Sequence, residues 1–160
     1  MTTAMATKYN YRRRLPHFQY DDKPLFITFG TFGHMLLRPA ARDLMLKHCL
    51  HDHGSKYMLH AAVIMPEHVH LLLSPLRDAA GYVFPLQQIL QSIKGASAHS
   101  INKAAGRQGP VWEEESFDHV LRSYESLEEK LEYIRQNPVR RRLARRPEHY
   151  RWLWVAPKIV

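Results

Sequence analysis

From residue 24 to about residue 140 the chain switches between two hydrophobic periods, one of two residues and one of three to four. Residues 24–32, PLFITFGTF, are aromatic and β-branched and predict a strand. After Pro39, residues 40–53 carry Leu44, Met45, Leu46 and Leu50 at largely helical spacing, and Gly54 is a natural stop. Residues 57–65 predict a second strand. Pro66-Glu67 breaks it, and residues 68–74 predict a third, paired with the second as a hairpin. Behind Pro85, Leu86, Ile89, Leu90 and Ile93 recur at i, i+3, i+4 and i+7, which marks the inner stripe of a second helix. A loop at 106–110 leads to short extended segments at 111–112 and 117–121. Ser126-Leu127-Glu128-Glu129 has the form of a capping box and predicts a helix to about Gln136, with Pro138 opposing its continuation.

Strand, helix, hairpin, helix and short strand is the order of a ferredoxin-like α+β sandwich. The expected architecture is one antiparallel sheet with helices on one face, leaving the other face or its margin for chemistry. The 160 residues fit a single domain spanning 1–160, with 1–20 and 140–160 read as basic extensions. No internal repeat or low-complexity linker divides the chain. Apolar residues make up 45%, enough for a core that needs no disulfide staples, and the lone Cys49 could not form one internally. That fits a reducing cytoplasm. No stretch approaches the roughly 20 apolar residues of a membrane helix, and the polar start lacks the hydrophobic segment of a secretory signal.

The alternation gives the first candidate chemistry. In His68-Val69-His70-Leu71-Leu72-Leu73, side chains alternate across the strand. Val69, Leu71 and Leu73 form a core row, and His68 and His70 share the opposite face, where both imidazoles can converge on one ion. Taken alone, the spacing fits two exposed strand histidines equally well. His51-Asp52-His53 has the same spacing at a helix end, where i and i+2 do not face each other, and reads as surface.

The 126–136 helix gives the second. Leu127, Leu131 and Ile134 make its apolar stripe, and Tyr133 points about 120° away from the stripe's centre. Asn137, one turn on, lies on nearly the same side. A phenol becomes a nucleophile when its proton is removed or its charge is stabilised, and an amide oxygen can ligate a hard cation. Taken alone, an off-stripe tyrosine is an ordinary surface residue.

Charge adds context: the formal net charge is +8, before eleven histidines are counted. A field of that sign concentrates polyanions. Arg12, Arg13 and Arg14 open the chain; Lys94 lies on the second helix; Arg122, Arg135, Arg140, Arg141 and Arg142 surround the tyrosine helix. Arginine's planar fork suits phosphate. Trp112, Phe117, Tyr150, Trp152 and Trp154 lie near these charges and could stack on unpaired bases.

Together these pieces resemble one family. The segment Met65-Pro66-Glu67-His68-Val69-His70-Leu71-Leu72 is similar to the metal strand of single-tyrosine HUH transposases. Tyr133-Ile134-Arg135-Gln136-Asn137-Pro138-Val139 resembles the tyrosine helix of their REP-associated branch. Gly109-Pro110-Val111-Trp112 and Phe117-Asp118-His119-Val120-Leu121-Arg122 resemble that branch's intervening segment, and Arg13-Arg14-Leu15-Pro16-His17 its opening. The similarity runs from about Arg12 to Leu153, with no motif residue missing.

The resemblance implies that His68, His70 and Asn137 ligate Mg²⁺ or Mn²⁺. It also implies that Tyr133 attacks a phosphate of single-stranded or hairpin DNA, leaving a 5′-phosphotyrosine and a free 3′-OH. Arg122 would be a phosphate or structural partner, and the chain a monomer or homodimer. Two imidazoles alone would equally suit Zn²⁺; the preference for a hard ion comes from the resemblance. Two other readings stay open: a domesticated, non-catalytic nucleic-acid-binding module, and a metal-dependent phosphodiesterase whose nucleophile is water.

Overall fold

A computed structural model describes residues 23–158. The strands expected from the sequence appear as β1 (Leu25–Gly30), β2 (Tyr57–Ile64), β3 (His68–Pro75) and β4 (Phe117–Val120), joined by a fifth, β5 (Leu153–Val155). They form one antiparallel sheet in the order β4-β1-β3-β2-β5. The first four strands and the helices α1 (Pro39–His51) and α2 (Leu86–Ala105) give the expected ferredoxin-like α+β arrangement.

Alternation assigns each strand residue to a face. Leu25, Ile27 and Phe29 of β1 and Val69, Leu71 and Leu73 of β3 join one large buried cluster with α1 and α2. On β2 a register shift between Leu59 and Ala61 lets Leu59 on one side of it, and Ala62 and Ile64 on the other, all reach that cluster. Proline at the first turn of α1 costs no hydrogen bond, because that N–H has no helical partner. Gly106, at φ 62°, supplies the left-handed residue that ends α2.

The third helix, α3 (Tyr124–Arg140), refines the expected layering. It lies on the opposite face, where Ile134 is fully buried and Leu127 and Leu131 pack on Phe26, Ala61, Val63 and Leu72. Helices α1 and α2 therefore share one face as anticipated, and α3 partly roofs the face left for chemistry.

Both ends of α3 differ from the sequence expectation. It starts earlier because Ser123, not Ser126, is the cap: the Ser126 N–H donates to Ser123 Oγ at 3.3 Å. It also runs through Pro138. The ring removes one bond in the final turn only, and the Pro138 carbonyl then accepts the N–H groups of Leu143 and Ala144.

The stretch after 140 packs back on the sheet. A 3-10 turn at Pro147–His149 leads into β5, which pairs with β2. Tyr150 Oη donates to the Ile64 carbonyl at 2.7 Å, and Trp152 Nε1 donates to Asp43 at 2.8 Å. Residues 1–20 lie outside the described residues. No described helix is long and apolar enough to cross a membrane.

Candidate active site

β3 presents His68 and His70 toward α3, and their rings meet at 4.7 Å between centroids. The two Nε2 atoms are 3.1 Å apart. Each Nδ1 is already engaged: His68 with Glu67 Oε1 at 3.1 Å, His70 with Thr28 Oγ1 at 2.7 Å. A carboxylate only accepts, so His68 carries its proton on Nδ1 and leaves a lone pair on Nε2. His70 then donates from Nε2 to His68 and accepts at Nδ1 from the Thr28 hydroxyl. Because a hydroxyl both donates and accepts, Thr28 also suits the other His70 tautomer, in which both Nε2 lone pairs are free together.

That second state has the form of a metal-ligand pair. Two nitrogens about 2.1 Å from an ion and at right angles to each other stand about 3 Å apart. Polar partners on Nδ1 are what orient histidine ligands. Burial favours the neutral form of both imidazoles. It lowers the His70 pKa to about 3, helped by His68, Arg140 and Lys130. The His68 pKa is lowered too, by burial that outweighs the pull of Glu67. Among the described residues no three His, Cys, Asp or Glu side chains gather around a point, so a third protein donor would have to be of another kind. Asn137, buried on α3 one turn beyond Tyr133, is the amide of the expected set.

Tyr133 stands beside this pair. Its ring meets His70 edge-on at 5.8 Å and Phe26 edge-on at 5.8 Å, and 43% of the residue remains exposed. The Arg140 guanidinium lies 4.4 Å from the ring centroid and also donates to the Tyr133 carbonyl; the Lys130 ammonium lies 5.4 Å from the same ring. Two cations therefore lie against the ring of an exposed tyrosine, where they could meet a phosphate beside it.

The other basic candidates divide. Arg141 donates to Glu67 Oε1 at 2.6 Å and so ties the end of α3 to the partner of His68. Burial raises the Glu67 carboxyl, but Arg141 and His68 outweigh it and hold the group below its ordinary range. Arg135 pairs with Glu132 on the exposed side of α3, Arg142 is exposed at φ 57°, and Arg122 is exposed just past β4. Lys94 sits on α2, on the other face, with its ammonium held by the Glu113 and Glu114 carbonyls and the Ser116 hydroxyl. Arg12, Arg13 and Arg14 lie outside the described residues. His51 and His53 are employed separately: His51 bonds Asp52, and His53 Nδ1 accepts the Leu59 N–H.

Thr28, Glu67 and Lys130 are the residues that local pattern did not mark. Thr28 was within reach of register reasoning, because it stands directly opposite His70. Glu67 and Arg141 are 74 residues apart, and nothing in the sequence joins them.

No protein-family model matches the chain, and no curated protein matches it. The fold nevertheless defines a class: an α+β domain shared with several proteins of known structure, two of them described as transposases. Within that class, a REP-associated tyrosine transposase bound to a REP hairpin superposes with a TM-score of 0.68 at 17% identity, covering 91% of this chain and 81% of that one. This agrees with the resemblance carried by the sequence motifs. A candidate transposase from Deinococcus radiodurans R1 gives 0.51 at 19% identity over 76% of this chain and 95% of that one. A bacterial tRNA(His) guanylyltransferase-like protein in complex with ATP gives 0.52 at 12% identity over 81% and 61%.

Proposed function

We propose that this chain is a transposase-type nuclease that cuts and rejoins single-stranded DNA through Tyr133, at hairpin or REP-like sequences. The observation that carries the reading is the meeting of His68 Nε2 and His70 Nε2 at 3.1 Å, beside the ring of Tyr133. Its support from fold is the likeness to a transposase bound to a REP hairpin.

Tyr133 Oη attacks a backbone phosphorus in line with the P–O3′ bond. That bond breaks, the phenolic proton ends on the departing 3′ oxygen, and the 5′ phosphate stays on the tyrosine. The reverse step, with another 3′-OH, rejoins DNA without ATP. Arg140 and Lys130, which lie against the Tyr133 ring, meet the charge of the phosphate under attack. His68, His70 and Asn137 would hold Mg²⁺ or Mn²⁺, whose contribution when bound is Lewis-acid polarisation of the phosphate. Thr28 and Glu67 fix the imidazole orientations.

The test is a denaturing gel of protein mixed with labelled single-stranded hairpin oligonucleotides from its own genomic flanks, with Mn²⁺ or Mg²⁺. A covalent protein–DNA band is expected, absent with EDTA and absent in Tyr133→Phe. A band that survives Tyr133→Phe overturns the nucleophile. Cleavage without a band points to water, and tight binding with neither points to a non-catalytic module.

A further inference from the structure

Residues directly opposite one another in an antiparallel ladder point to the same face. Phe117 on β4 stands opposite Thr28, and Thr28 stands opposite His70. Phe117 therefore shares a row with the histidine site, two strand spacings or roughly 10 Å from His70. In the next row His119 stands opposite Phe26, and the Lys130 ammonium lies 4.7 Å from the Phe26 ring centroid. Phe117 is 60% exposed, on an edge strand of four residues. Three other candidate stacking aromatics are committed elsewhere: Trp112 and Tyr150 are buried and hydrogen-bonded, and Trp152 is covered by the Arg42 guanidinium at 4.0 Å.

A phenyl face held in water beside a cationic site fits one kind of occupant well. We infer that Phe117 is the stacking platform for an unpaired base of single-stranded DNA next to the phosphate attacked by Tyr133; this rests on the nuclease reading above. Charge selects nucleic acid over an apolar peptide, because the Lys130 ammonium reaches the Phe26 ring and the Arg140 guanidinium the Tyr133 ring on this same face. Every base has a π face, so the platform favours unpaired over paired DNA without reading sequence.

The experiment measures binding of a labelled oligodeoxyadenylate, alone and paired with oligothymidylate, to the full chain. Phe117→Ala should weaken single-strand binding about 5- to 150-fold and leave duplex binding within about two-fold, and Phe117→Tyr should restore it. In Phe117→Trp the added indole emission should be quenched by the single strand and not by the duplex. Unchanged single-strand binding in Phe117→Ala, together with an unquenched indole, overturns the inference; equal loss on both DNA forms does so too. If wild-type protein forms the Tyr133 adduct in that case, the nuclease reading stands alone. Selective single-strand loss in a protein that forms no adduct keeps the platform and removes the nuclease.

Discussion

On the face covered by α1 and α2, β1 and β3 contribute Leu25, Ile27, Phe29, Val69, Leu71 and Leu73, none more than 2% exposed. On the face beneath α3 the same two strands contribute Phe26, Thr28, His68, His70 and Leu72. One side is a dry apolar layer. The other gives up apolar area to a line of hydrogen bonds that runs from Arg141 through Glu67, His68 and His70 to Thr28. The difference follows from a period of two: a single strand can serve stability with one set of side chains and chemistry with the next. Changes on the two faces should therefore separate stability from site chemistry.

The largest effect is expected on the dry face. Leu71→Ala removes a fully buried side chain between β3 and the α1–α2 layer. Stability in urea should fall by about 2–5 kcal/mol. Under the metal-site reading, manganese affinity of the folded protein should be unchanged, because the residue points away from the histidines. Weakened manganese binding in the folded fraction would show that the faces are not separable.

Thr28→Val tests the converse. It keeps the shape of the side chain and removes the hydroxyl 2.7 Å from His70 Nδ1. Under the metal-site reading, Mn²⁺ affinity measured by titration calorimetry should drop about 10- to 100-fold. The stability cost should be about 1–3 kcal/mol, from a buried nitrogen left without its partner. Equal metal affinity in the variant would remove Thr28 from the site.

A smaller effect is expected at the rim. Glu67→Gln keeps an acceptor for His68 Nδ1 but cancels the charge that meets Arg141. That pair is partly exposed, with 46% of the Arg141 side chain accessible, so its own contribution should be about 0–1 kcal/mol. Manganese affinity should fall less than in Thr28→Val. A larger loss would mean that the carboxylate charge, not the orientation it imposes, governs the imidazole.

Much of this division was legible in the chain. Alternation from His68 to Leu73 separated ligand candidates from core residues, and the Leu127, Leu131 and Ile134 stripe placed Tyr133 off the packed side of α3. Local rules failed where two signals overlapped or where the partner was distant. Ser123 and Ser126 are both acceptable caps three residues apart, and only the folded helix chooses. β5 is three residues long and forms because β2 offers an edge, which no window over 153–155 reveals. The Thr28–His70 and Glu67–Arg141 bonds span 42 and 74 residues, so they depend on sheet register and on where α3 ends.

The smallest expected signal is an absence, and it probes the dry face directly. Cys49 is fully buried on α1, and burial pushes its thiol up to about 12. At neutral pH it is therefore both uncharged and out of reach, and the thiolate is the form that reacts. Iodoacetamide should leave Cys49 unmodified in native protein by mass spectrometry and label it fully in urea. Manganese should slow the residual labelling if it binds the folded state alone, since any ligand of the native state stabilises it by mass action. Rapid labelling of native protein would mean that the α1–α2 layer opens independently of the site, and that the dry face is the looser of the two.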